Sequence, residues 1–323
     1  MAEGSGDVGL RRAEGIWQIM GMVVIGTTFV DMKGYPFETY VPAGRNAGRV
    51  VEVHGGVARN IAEDIANVGL APTYVSALDE SGLSADILAR LARCGCNTGY
   101  IGRAGNALGM WLAIFDETGE VVASISRRPD TGEIERILTE RGDEIVSRAD
   151  SVCIEFDIEE PILRRVLDLA QRYGKKVFSP VTNMAIAAER RGLLSRVACL
   201  VCNLQEACML FAWELDGASP EEVRAALPER LAEAGLESMV VTMGVQGSVF
   251  AQMDGQSGWC PACEVEVVDT TGAGDAFFAG TAIGLTYGKG LADSCAIGAR
   301  LAASAISGED NVCGRFSSEA LGI

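Results

Sequence analysis

The sequence predicts an α/β protein built on a mostly parallel sheet. Three observations carry this. Short apolar runs alternate with amphipathic stretches, as in residues 71–77 followed by 84–93. Such alternation yields parallel strands joined by right-handed helical crossovers. Gly is abundant, with 39 in 323 residues, which suits many strand–helix turns and close backbone approach to a ligand. Hydrophobic residues make up 48%, enough for a sizeable core, and 323 residues suffice for one large α/β domain or two small ones.

In chain order, residues 1–15 are Gly- and charge-rich without periodicity and read as a disordered tail, with one domain over 16–323. The apolar run 16–30 follows Arg11 and Arg12, as a signal peptide would. It lacks a small-residue cleavage site and is short for a membrane span. Its Val-Val-Ile centre before Gly26 reads instead as a buried first strand, about 18–25. Cytoplasm is the expected compartment. Asp31 then falls just beyond the end of that strand, where open parallel sheets hold ligands. A solvated loop Asp is the alternative.

Residues 33–53 carry Tyr, Phe, Pro and Gly without a helical stripe, and read as strands of a small projecting sheet. Gly55 and Gly56 precede a helix of about 58–68, with Ile61, Ile65 and Val68 on one face and Gly69 ending it. Asn60 on that helix can both donate to and accept from vicinal hydroxyls. His54, the single His, directly precedes the glycines and is read as structural or incidental. Residues 111–125, WLAIFDETGEVVASI, break the alternation and read as two strands around a turn at Glu117-Thr118-Gly119. With 33–53 they form a lid sheet, its second segment spanning about 98–126. Strands then follow at 151–155, 176–179, 198–202 and 238–242, with helices at 160–172 and 291–306.

Asn203 and Glu206 stand three apart at a strand-to-helix junction, so both can face one point. They suit either a Mg²⁺ held through waters or a helix cap of the capping-box kind. Thr242, Gly244 and Gly247 form a glycine turn after a strand: a nucleotide-side loop or a plain hairpin turn. The densest signal is DTTGAGDAFFAG, residues 269–280. Residues 265–268 read as a strand end, Thr271-Gly272-Ala273-Gly274 as a tight turn, and Ala276, Phe277, Phe278, Ala279 and Ala282 as a buried helix. A helix N-terminus is a ready anion site. A carboxylate beside it, Asp275, would repel phosphate. It earns its place by taking a proton from a hydroxyl that attacks the phosphate, or else by capping the helix.

This segment resembles the C-terminal signature of the PfkB (ribokinase-like) carbohydrate and nucleoside kinases, and the likeness extends over nearly the whole chain after the tail. It implies a three-layer α/β/α domain with a small β-sheet lid. It implies ATP-dependent phosphorylation of a hydroxymethyl group, with Asp275 as base and the amides of Gly272, Ala273, Gly274 and Asp275 as the anion hole. By the same resemblance Asp31, Gly55, Gly56 and Asn60 bind the acceptor, and Thr242, Gly244 and Gly247 lie at the nucleotide. Asn203 and Glu206 position Mg²⁺, and Asp269 and Thr271 match the region that often holds a monovalent cation such as K⁺. The lid often makes a homodimer contact. HGGVARNIAEDIA and VTMGVQGSVFAQMDGQSGW are most similar to pseudouridine kinases. Ribose, fructose, 2-keto-3-deoxygluconate or a sugar phosphate are alternative acceptors, and a silent nucleotide- or sugar-binding protein is an alternative of another class. The chain departs from its relatives at Val201-Cys202 before Asn203, at Ser179-Pro180, and at Arg127-Arg128 by the lid exit.

The net charge of −17 argues against a nucleic-acid backbone or an anionic membrane as partner. The 10 Cys show no disulfide framework. Of the two CxxC pairs, Cys199 and Cys202 lie on a strand, where residues three apart face opposite sides. Reduced thiols are therefore favoured over zinc.

Overall fold

Strand-forming runs and amphipathic helices succeed one another along the chain. The computed structural model describes residues 21–308 and 310–323. The expected tail and the start of the first strand lie outside them. The elements are β1 (Gly21–Ile25), β2 (Thr28–Pro36), β3 (Gly48–Gly55), α1 (Val57–Asn67), β4 (Thr73–Leu78), α2 (Gly82–Cys94), β5 (Asn97–Arg103), β6 (Leu108–Phe115) and β7 (Val121–Arg127). There follow α3 (Gly132–Ser147), β8 (Ala149–Ile154), α4 (Glu160–Tyr173), β9 (Val177–Pro180), α5 (Met184–Glu189), β10 (Cys199–Asn203) and α6 (Leu204–Phe211). Last come α7 (Pro220–Ala234), β11 (Ser238–Thr242), β12 (Ser248–Gln252), β13 (Ser257–Cys260), α8 (Ala273–Thr286) and α9 (Leu291–Ile306).

Among the described residues the central sheet has nine strands, in the order β13-β12-β11-β10-β9-β8-β1-β4-β5. It is parallel from β5 to β11, and β12 and β13 add an antiparallel edge. Strand side chains alternate between two cores, as a period of two requires. Val23, Ile25, Val152, Ile154, Met239 and Val241 pack on one face with side chains of α3, α4 and α7. Met22, Val24, Cys153, Phe178 and Val240 pack on the other with those of α1, α8 and α9. Burying each large apolar side chain contributes roughly 1.5–3 kcal/mol. Cys199 and Cys202 fall in different cores, on opposite faces of β10. All ten cysteines are free.

A second sheet, β3-β2-β6-β7, stands apart as the lid. Register puts Met32, Leu112 and Ile125 in one row, and Asp31, Trp111 and Ser126 in the next. Leu112 and Ile125 are exposed on the outward face, Met32 packs back against the core, and Asp31 and Ser126 face the cleft. Three expectations need correction. Residues 97–103 are β5, paired with β4 at the edge of the central sheet, so the lid's second segment begins at Leu108. Asp31 lies within lid strand β2, six residues past the end of β1. Residues 265–268 form no strand. Pro261 ends β13, and Val268 N–H then donates to Ile306 O at the end of α9 rather than to a strand.

The chain leaves β1 toward β4 and β5, and returns to β8 on β1's other side. The crevice outside the carboxyl ends of β1 and β8 is thus a topological switch point, where ligands bind in open α/β sheets.

Candidate active site

Residues from four directions converge on that crevice. Thr27 follows β1, Glu155 follows β8, Asn60 comes from the first turn of α1, and Asp275 from the first turn of α8. Gly272 caps α8 with φ of 81°, and a Cβ there would lie 2.0 Å from Asn311 O. Only glycine makes this turn. At the other wall, a Cβ on Gly55 would lie 2.7 Å from Asp31 Oδ2. The missing side chain gives the Asp31 carboxylate its room.

These residues line a cavity of about 400 Å³ that includes Asp31, Gly56, Asn60, Glu155, Thr271 and Asp275. Asp275 also lines a 150 Å³ cleft with Asn203, Glu206, Thr242 and Gly274. Thr242 and Gly274 in turn line a 250 Å³ apolar cleft with Gly244, Gly247, Phe277 and Ala303. The three spaces share lining residues, and Asp275 stands where the first meets the second. The turn at Gly244–Gln246 joins β11 to antiparallel β12, so it is a hairpin turn that also walls a cleft.

Asn60 Nδ2 donates to Asp275 Oδ2 at 2.7 Å. Burial pushes the Asp275 carboxyl up to about 7, opposed by this hydrogen bond and by the Arg59 guanidinium. Asp31 is also raised by burial, with Lys33 and Arg59 opposing. In the first turn of α8, Ala273 N–H turns back onto Thr270 O. The amides of Gly274 and Asp275 meet no acceptor among the described residues, and they carry the positive end of the helix dipole.

Asn203 and Glu206 make a reciprocal capping box. Asn203 Oδ1 accepts from Glu206 N–H at 2.8 Å, and Glu206 Oε2 accepts from Asn203 N–H at 2.7 Å. Both still line the 150 Å³ cleft, and burial raises the Glu206 carboxyl. One carboxylate at a cleft with room for several waters fits a Mg²⁺ that keeps most of its waters. Asp269 and Thr271, the other expected cation ligands, instead meet an ammonium. Lys33 Nζ lies 3.4 Å from Asp269 Oδ2 and 3.2 Å from Thr271 Oγ1.

Several site residues escaped the sequence reading. Glu155 accepts from Ala58 N–H at 3.0 Å and from Thr27 N–H at 3.3 Å, and burial pushes its carboxyl up to about 8. The signal was available, since Glu155 directly ends the apolar run of a parallel strand. Asn311, 2% exposed, lines the cavity with both side-chain polar atoms unpartnered among the described residues. Of the arginine pair, Arg128 lines the cavity, whereas Arg127 donates to Leu108 O. Ser179 is buried and donates to Ile154 O, away from the cavity. His54 borders a separate groove with Lys33, Arg49 and Arg90, and burial holds its imidazole below the usual range.

Known proteins resemble this chain over most of its length. Residues 21–311 match the family model described as pfkB family carbohydrate kinase. Guanosine-inosine kinase of Exiguobacterium acetylicum is 29% identical over 292 residues, covering 90% of this chain and 95% of that protein. Pseudouridine kinase of Escherichia coli (strain K12) is 28% identical over 277 residues, covering 84% and 86%. Among solved structures, Arabidopsis thaliana ribokinase complexed with ribose and ATP superposes with a TM-score of 0.79 at 21% identity, covering 94% of this chain and 99% of that one. The last shows the ribokinase-like fold. The chain belongs to the pfkB family of carbohydrate kinases and is a phosphotransferase with a hydroxyl acceptor.

Proposed function

We propose that this kinase transfers the γ-phosphate of ATP to the primary hydroxyl of a nucleoside, with Asp275 as general base. One observation carries the proposal: the hydrogen-bonded Asn60–Asp275 pair stands at the junction between the 400 Å³ cavity and the cleft that leads to α8's first turn. The acceptor binds in the cavity, its sugar hydroxyls held by Asp31, Gly55, Gly56 and Asn60. Phe29, Val57, Ile158 and Pro129 supply apolar wall for a flat base. The adenine lies in the apolar cleft of Gly244, Gly247, Phe277 and Ala303, which puts the phosphates at the N-terminus of α8.

Asp275, with a carboxyl near 7, takes the hydroxyl proton close to neutral pH, where a general base is most effective. Asn60 orients that carboxylate. The amides of Gly274 and Asp275 receive the charge that develops on the transferring group. Asn203 and Glu206 would hold Mg²⁺ through waters, and the ion would neutralise charge at the phosphates. The lid excludes water and limits wasteful ATP hydrolysis. Its outward face exposes Ile125, at 70%, and Val50, at 68%, and we assign this face to a homodimer contact.

Pseudouridine is the acceptor that the stretch HGGVARNIAEDIA supports best. A purine nucleoside is the second reading, favoured by the 29% identity to guanosine-inosine kinase along nearly the whole chain. ADP release with pseudouridine, guanosine, inosine, other nucleosides, ribose and fructose, against Asp275→Asn, tests both. Turnover only with free sugars would overturn the nucleoside assignment.

A further inference from the structure

The family resemblance implies a monovalent cation at Asp269 and Thr271, and the structure puts a side chain of the protein there. Lys33 projects from the inner face of lid strand β2 and is 3% exposed. Its Nζ reaches Asp269 Oδ2 and Thr271 Oγ1 at once. The other oxygen of Asp269 is committed to the loop, accepting from Thr271 N–H at 2.9 Å and from Thr271 Oγ1–H at 2.7 Å. Both oxygens of the carboxylate are therefore engaged, one by the backbone turn and one by the ammonium. A second cation on the same atoms would sit against a charge of its own sign. The two side chains do not fit a diffusible cation while Lys33 is present.

A buried ammonium is costly unless paired. Here it pairs with Asp269, which lies three residues before the cap of α8. The contact spans 236 positions of sequence and ties the lid to the loop that aims the first-turn amides of α8. We propose that Lys33 is a tethered cation: it takes the place of K⁺ beside the anion hole, holds the 269–272 loop in position from the lid, and makes the kinase independent of monovalent cations. Lys33 is thus a positioning residue, acting through Asp269 and not on the reacting atoms.

The test needs the whole enzyme and two measurements. Melting temperature is followed without substrate in KCl, NH₄Cl or choline chloride at equal ionic strength. ADP release is followed in the same salts with the best acceptor. The wild type should melt and turn over alike in all three. Lys33→Met, which keeps the length and loses the charge, should lose about tenfold to a hundredfold in turnover in choline, since small misplacements cost that much. KCl or NH₄Cl should restore part of the loss and raise the variant's melting temperature, whereas choline should not. Lys33→Arg should stay indifferent to K⁺. A K⁺-specific rise in wild-type turnover or melting temperature overturns the proposal, whether or not the variants fold. So does a folded Lys33→Met that keeps wild-type turnover in choline, or one that no cation rescues. The turnover arm rests on the proposed acceptor. Failure of that assignment appears as no turnover in any salt, and the substrate-free melting curves then decide the cation question alone.

Discussion

Replacing Asp275 with Asn separates the chemistry of this residue from its cost to the fold. The amide keeps the shape of the carboxyl and an oxygen that can still accept from Asn60 Nδ2, but it cannot take a proton. Turnover should fall by about 10²–10⁴-fold. Stability should move the other way. The folded-state pKa is raised from 3.8 to about 7, chiefly by burial, so the folded protein holds this proton more tightly than the unfolded chain does. That contribution is complete below the unfolded pKa and is lost as pH rises through about 7. A shift of this size corresponds to about 4 kcal/mol at most. The carboxyl keeps one face open to the cavity, and water there reduces the figure to the order of 1–2 kcal/mol. Without ligands, Asp275→Asn should therefore melt a few degrees above wild type at about pH 8 and little above it at about pH 5. Differential scanning fluorimetry across that range, beside ADP-release kinetics, reads both effects. Near-normal turnover would refute the base. A variant that melts below wild type at high pH would refute the claim that the carboxylate is held at a cost.

Other perturbations follow from the same geometry. Asn60→Ala removes a donor to a charged acceptor and should cost about 10–100-fold in kcat/KM. It should also move the acid limb of the pH profile upward, because the bond that lowers the Asp275 pKa is gone, and an unmoved limb would count against the pairing. Glu155 is raised to about 8, so the apo protein should lose stability as pH rises through that value. Glu155→Gln should flatten the dependence of Tm on pH in that window, and an unchanged slope would contradict it. Ile125→Glu charges the outward face of the lid and should convert a dimer to monomers by light scattering. A wild type that is monomeric at micromolar concentration would remove the interface assignment.

Local chemistry was the most legible. The strand at Ser238–Thr242 and the helix at Leu291–Ile306 occupy the residues their apolar patterns indicate, because each is bounded by clear breaks. The DTTGAGD turn was legible too, since glycine turn, carboxylate and apolar helix are consecutive in the chain. Residues 265–268 misled for the opposite reason. Val265, Val267 and Val268 have strand propensity, but β-propensity measures fit to a half-buried pleated surface, and no strand among the described residues lies beside them. Asn203 and Glu206 carry two meanings, and the structure realises the cap while leaving both at the cleft.

By itself, then, the sequence determined the α/β alternation, the lid hairpin and the glycine turn with Asp275 at the start of an apolar helix, all written in residues a few positions apart. The tertiary structure alone decided what meets across the chain. Asn60 reaches Asp275 over 215 positions, Glu155 anchors Thr27 and Ala58, and Lys33 meets Asp269 over 236. Such pairings depend on strand order and on where the lid folds back, and no local periodicity encodes either. A charged or polar residue that ends an apolar strand reads as a boundary in sequence. Only the crevice between β1 and β8 turns it into part of a site.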